Sequence, residues 1–436
     1  MDTQKLISPS SLIIHLMLVA GFLVYARVFG PPQPEPIKIP FKELKVDQKK
    51  AEIGKTSDEI PLDRSILLTE TRPGSMDHKS FYSKNNRLFG RLGNSWTAEL
   101  TLNQKVQKAS QYHFSKGKSA LGALALVEIS SGKVIGLTEH IDKHHPVTRQ
   151  LKPSPAMHLG LQSLAPSASV FRLVTAASLL ESGLNPRQKF CYTKFKGTRI
   201  KQEHLSNLDP KHCNYLSKAV TTSDNSYLAY VSHSQLSPDK LKKSALNLGY
   251  DRNYSYFGLP YELSVAYIPS DPIQRAKTAI GVMGSKTNVL HAAMLTAAIA
   301  SDGVVKSPRL VEKITNSEGR EIVAPEFSKM AKGMSPSTAA RLRHSLKNAI
   351  YENPTGKIFR NWPDELRKLR VAGQSSLRTY HKPNFIRYTW FIGYVPIEDP
   401  KWAIAVMVVN NDWHARALYI AHQVLKDVLG DLNNLE

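Results

Sequence analysis

The chain has 436 residues, 58 Lys+Arg against 36 Asp+Glu, and a formal net charge of +22. Hydrophobic residues make up 42% and aromatics 8%, enough for a packed core, so global disorder is excluded. Two cysteines exclude a disulfide-dense mini-scaffold and a multi-thiolate metal site. The positive balance favours anionic surroundings: phospholipid, a carboxylate-bearing polymer or nucleic acid.

In chain order, Leu12 to Ala26 is apolar or small apart from His15, and the run reaches Phe29 past Arg27, whose long stem can reach an interface. About 18 residues at 1.5 Å rise just span a hydrocarbon core. Residues 1–30 therefore read as an uncleaved signal anchor; a cleaved signal ending at Val24-Tyr25-Ala26 is the competing reading. Lys5 and Arg27 on the two flanks orient it only weakly. Gly30-Pro31-Pro32-Gln33-Pro34-Glu35-Pro36 reads as a stiff spacer, and residues 31–95 as linker plus a small irregular pedestal with its clearest turn at Arg72-Pro73-Gly74-Ser75.

From Trp96 to residue 436 the pattern is that of one domain. Leu121–Ile129 and Val134–Thr138 flank the turn Ser130-Ser131-Gly132-Lys133 and predict a hairpin. Val170–Ser182 predicts a helix with Gly183 placed to cap it, and Ala279–Gly303 a stretch containing a buried helix. Tyr388–Val395 and Trp402–Asn410 predict a second strand pair, and Ala417–Leu429 a closing amphipathic helix. Strands at both ends with helices between predict an α+β fold whose antiparallel sheet joins distant segments and is flanked by helices.

Three short clusters carry chemistry. Ser169 opens the Val170–Ser182 helix, three residues before Arg172 and at the positive end of the helix dipole. Ser223-Asp224-Asn225 lies between two helical segments, and Gln374-Ser375-Ser376 precedes the second strand pair. Each alone is unremarkable. A serine on a helix, then S-x-N, then a strand-borne K-T-G is the ordered signature of penicillin-binding proteins and serine β-lactamases. Over about Trp96 to Leu429 the chain resembles the transpeptidase domain of penicillin-binding proteins. Leu100-Thr101-Leu102-Asn103-Gln104-Lys105-Val106-Gln107, Ser131-Gly132-Lys133-Val134, Ser307-Pro308-Arg309 and Trp390-Phe391-Ile392-Gly393-Tyr394-Val395-Pro396 look like further segments of that family.

The boxes themselves are degenerate. Where the family has S-x-x-K, this chain reads Ser169-x-x-Arg172, and a guanidinium cannot serve as the neutral base that the resemblance assigns to the lysine. Arg172 could instead orient Ser169 or bind an anion. Where the family has K-T-G, this chain reads Gln374-Ser375-Ser376, which loses a cation and adds a side chain beside the strand. Ser223-x-Asn225 is intact.

Smaller signals take plainer readings. His140, Asp142, His144 and His145 cluster after the hairpin and fit a solvated loop better than a metal site, so neither metal nor cofactor is expected. Cys191 and Cys213 read as one disulfide in an exported chain, with two buried thiols as the other reading. Lys194, Lys196, Arg199 and Lys201 read as a solvated face, and no module supports nucleic-acid binding.

These readings predict a single-pass protein of the cytoplasmic membrane, anchored through Leu12–Phe29, with its large domain in the periplasm. The resemblance implies a catalytically impaired pseudo-transpeptidase that binds peptidoglycan stem peptides or a cell-wall or divisome-type partner. One alternative is an active D,D-transpeptidase or carboxypeptidase with Ser169 as nucleophile. The other, a basic nucleic-acid binder, requires that the apolar N-terminus not be an export signal.

Overall fold

The computed structural model describes residues 81–432, apart from 85–86, 93–95, 152, 154–158, 257–258, 263, 324–328, 353, 381–384 and 413–415. Leu12–Phe29, the Pro-rich spacer and the Arg72–Ser75 turn lie outside the described residues. No helix among the described residues is long and apolar enough to cross a membrane.

The central antiparallel sheet runs Ala372–Tyr380, Ile386–Val395, Trp402–Asn410, Leu121–Glu128, Val134–Ile141 in spatial order. The hairpin near the start of the domain is thereby joined to the meander near its end, with Trp402 opposite Glu128 and Val409 opposite Leu121. Every residue of Trp402–Asn410 is buried, because both faces of the sheet are covered. Side chains alternate with the pleat. Ala123, Ala125, Val127, Ala403, Ala405 and Met407 enter the larger core, where helix Val289–Ala300 covers the sheet. Leu124, Leu126, Ile404, Val406 and Val408 enter a second core, beneath helices Gln104–Lys116 and Ala417–Leu432. Each fully buried Leu, Ile or Val contributes about 1.5–3 kcal/mol of transfer free energy, so this two-sided strand anchors the domain. Gly122 lets helix Gln104–Lys116 approach closely: a Cβ there would stand 2.4 Å from the Phe114 ring.

The predicted hairpin, second strand pair and closing helix are all present. Ala279–Gly303 divides: a three-residue strand, Ser285–Thr287, precedes the buried helix Val289–Ala300. Strands Phe81–Lys84 and Arg87–Leu92 pair onward to Trp96–Asn103 in a second five-stranded sheet with Val311–Asn316 and Glu321–Val323, so ordered pairing crosses the boundary expected at residue 95.

Candidate active site

Helix Val170–Glu181 is mostly apolar, with Val170 through Leu179 all buried, which places it at the centre of the helical layer. Its C-terminus stops as predicted. Gly183 takes φ +90°, and Leu184 N–H returns to the Leu179 carbonyl. Its N-terminus is held by many contacts. Trp390 Nε1–H donates to the Pro166 carbonyl (3.0 Å) and Ser167 N–H to the Ser285 carbonyl (3.1 Å). Ala168 takes the left-handed conformation (φ +47°), where a non-glycine residue stores strain. Gly281 lies against it so closely that a Cβ would sit 1.7 Å from the Ala168 carbonyl oxygen. Ser169 follows as N-cap residue, only 8% exposed, and its hydroxyl caps no backbone amide. This is not an ordinary capping serine.

Arg172 cannot find a polar face on such a helix and is buried. Its Nη1 donates to the Ser223 carbonyl (2.8 Å) and to Asn225 Oδ1 (3.0 Å), while Nε is buried without a hydrogen-bond partner among the described residues. Burial pulls its pKa down to about 10, against the opposing charge of Asp224. It stays cationic at neutral pH. The guanidinium therefore braces the helix against the S-x-N turn.

That turn owes its shape to a left-handed residue. Ser223 ends helix Leu216–Thr222 at φ +59°, and Asp224 begins helix Asn225–Gln235 by accepting from Ser226 N–H (3.0 Å) and Tyr227 N–H (3.1 Å). Tyr192 Oη–H also donates to Asp224; burial and this carboxylate raise the phenol's pKa. Asn225 Nδ2–H donates to the Gly197 carbonyl (3.2 Å), so the amide is held at both ends.

The third cluster lies on Ala372–Tyr380, the first strand of the sheet, whose one strand neighbour among the described residues is Ile386–Val395. Gln374 and Ser376 share a face and Ser375 points to the other. Gln374 Nε2–H donates to Ser223 Oγ (2.9 Å), and its buried Oε1 has no partner among the described residues. Ser376 Oγ accepts from Ser169 N–H (2.8 Å). The extra side chain at 376 thus reaches across and occupies the amide at the mouth of the helix. A cavity of about 290 Å³ is lined by Ser223, Gln374, Ser376, Trp390 and Arg416 among others, but not by Ser169.

Chemically, six of the seven predicted residues are drawn together by hydrogen bonds, while Ser375, on the other face of the strand, only lines the cavity. The donor best placed to stabilise charge developing next to Ser169 Oγ, its own N–H, is already used. Elsewhere, Cys191 and Cys213 are disulfide-bonded across a short strand pair. His140 meets the Ser119 carbonyl, Asp142 accepts from His144 N–H, and His145 Nδ1 accepts from Val147 N–H. No group of three or more His, Cys, Asp or Glu that could hold a metal ion is gathered among the described residues.

The family described as the penicillin binding protein transpeptidase domain matches residues 122–430. The chain belongs to this family. It is 23% identical over 358 residues to the peptidoglycan D,D-transpeptidase PbpA of Mycolicibacterium smegmatis, covering 74% of this chain and 71% of that protein. The Mycobacterium tuberculosis PbpA is also 23% identical, over 362 residues, with the same two shares. Among solved structures, the D,D-transpeptidase domain of a peptidoglycan glycosyltransferase from Eggerthella lenta superposes with TM-score 0.63 at 22% identity, covering 78% of this chain and 84% of that one. The M. tuberculosis PBPA crystal structure gives TM-score 0.62 at 20% identity, over 76% and 81%. These likenesses show the shared fold.

As a penicillin-binding-protein domain, the chain brings its three boxes to one place. The sequence did not single out Tyr192, Gly197, Ser226 or Gly281 as supports of that place. The place of Cys213 shortly before Ser223 was the one available signal, since a disulfide beside a motif constrains the loop it closes.

Proposed function

We propose that this chain is an envelope protein, anchored by Leu12–Phe29 in the cytoplasmic membrane, whose periplasmic transpeptidase domain binds peptidoglycan stem peptides or a cell-wall partner without efficient acyl transfer. The observation that carries the reading is the hydrogen bond from Ser169 N–H to Ser376 Oγ. Acyl transfer needs a donor for the oxyanion and a base for the serine proton. Here the amide is taken and residue 172 is a cation. Gln374, bonded to Ser223, contributes no charge for a carboxylate. The edge position of Ala372–Tyr380 supports binding, because an edge strand can accept an extended peptide by backbone pairing. The Cys191–Cys213 bond supports an oxidising compartment outside the cytosol.

Fluorescent penicillin tests the reading directly. Wild type should label far below stoichiometry. Ser376→Gly alone should gain little, because Arg172 still offers no base. The combination Arg172→Lys, Gln374→Lys, Ser376→Gly should gain a covalent adduct that Ser169→Ala removes. Rapid stoichiometric labelling of the wild type, lost in Ser169→Ala, would establish the active transpeptidase instead.

A further inference from the structure

The excursion Tyr192–His212 is closed at its base by Cys191–Cys213 and seats Tyr192, Ile200 and Leu205 in the core. Between Tyr192 and Ile200 the exposed charged side chains are all cationic, Lys194, Lys196 and Arg199; Lys201 follows, and beyond it Gln202 and Glu203 are exposed as well. No carboxylate occurs from 194 to 201. Lys201 has Glu203 at 3.4 Å, an exposed pair of little energetic weight. Lys194, Lys196 and Arg199 have no ion-pair partner among the described residues.

The loop is fastened to the candidate site. Asn225 Nδ2–H holds the Gly197 carbonyl, Phe195 N–H donates to Ser226 Oγ (3.1 Å), and Tyr192 is bonded to Asp224. The cations are thus carried on backbone bonded to the S-x-N turn, as a lip beside the cleft. A disulfide and three tethers hold that backbone in place, which lowers the entropy lost when a ligand engages it. On the cleft strand the two positions bonded to the Ser169 helix and the Ser223 turn, Gln374 and Ser376, are neutral; its one basic residue, Arg378, is partly buried and stacks over the Tyr380 ring.

We infer that the lip formed by Lys194, Lys196 and Arg199 is a specificity element that favours wall peptides carrying free carboxylates over the same peptides with those groups amidated. The inference rests on the reading that the cleft takes wall peptides, and it names which charge state of them is held. Three unpaired surface cations meeting carboxylates at low salt should give about tenfold tighter binding, screened as ionic strength rises.

The test uses the full chain in detergent micelles and soluble, uncross-linked glycan–peptide fragments in two forms, free acid and carboxamide. Affinities are measured by calorimetry at low and at high salt. The free-acid form should bind about tenfold more tightly at low salt, with the ratio collapsing at high salt. Lys194→Gln/Lys196→Gln/Arg199→Gln should abolish the preference. Lys240→Gln/Lys242→Gln/Lys243→Gln, which removes the same charge from an exposed helix face elsewhere, should keep it. Thermal unfolding and thiol titration verify that each variant is folded and oxidised. Equal affinity for the two forms, or equal loss in both triple variants, would overturn the lip while leaving the cleft reading in place. Failure to bind either form would overturn the cleft reading and the inference with it.

Discussion

Two buried ionisable residues, Arg172 and His291, show how desolvation enters the energetics of this domain. Arg172 is a desolvated cation whose Nη1 serves two acceptors from a separate helix pair. Truncation leaves the Ser223 carbonyl and Asn225 Oδ1 unpaired and opens a void, so Arg172→Ala should destabilise by about 2–4 kcal/mol. Arg172→Lys keeps the charge, but its shorter side chain does not bring Nζ to the position of Nη1, and it should cost about 1–2 kcal/mol. Urea midpoints at pH 7.5 would check both. His291 is the other case. Its Nε2 meets the Leu248 carbonyl, which can only accept, so Nε2 carries the proton and Nδ1 accepts from Ser264 Oγ–H. Burial drives its pKa to about 4, with the Leu248 bond opposing. The folded state then binds fewer protons than the unfolded chain between pH 6.5 and 4. Stability present above pH 6.5 is lost as pH falls through that window, by about 3 kcal/mol for this group. Urea midpoints measured from pH 7 to 4 should fall more steeply for wild type than for His291→Gln. Neither role was legible in the sequence. Spacing put Arg172 one turn beyond Ser169, but which neighbours it would meet depended on a helix pair more than fifty residues away.

At the scale of elements, the disulfide and the loop it closes form one unit. The bond joins residues separated by 22 positions, for which the chain-entropy model gives about 3 kcal/mol. Replacing both cysteines by alanine should lower stability by about that amount. It should also raise hydrogen exchange first across 192–212 and then in the Ser223–Ser226 turn, which this loop holds through Gly197, Phe195 and Tyr192. Exchange confined to the loop, with the turn unchanged, would show that the tethers do not stiffen the cleft. Elements with strong local signals were readable in advance. Helix Val170–Glu181 has its apolar run and Gly183 stop, and strand Trp402–Asn410 its unbroken apolar sequence. The strands at 81–92 were not readable. Their pairing partner Trp96–Asn103 lies across a boundary drawn on composition, and strands of four and six residues carry little periodicity.

At the scale of the whole molecule, the chain is expected in the membrane fraction, with deletion of residues 1–30 releasing the domain to the soluble fraction. Protease added to intact spheroplasts should degrade the domain, and protection there would contradict export. The charge of +22 favours an anionic wall or membrane surface, and salt should weaken such association. The sequence by itself determined the fold family, because three boxes in fixed order and an α+β pattern are properties of the chain's order. It also determined that residue 172 holds a charge and residue 374 none, since those are properties of side-chain chemistry. Only the tertiary structure decided what the changed residues do. Ser376 meets Ser169 N–H, Gln374 meets Ser223 and Arg172 meets Asn225 because packing of the helices on one another and on the edge strand brings residues 207, 151 and 53 positions apart into hydrogen-bond range. Contacts of that sequence separation leave no local pattern, so they emerge only when the strand, the helix and the turn are packed together.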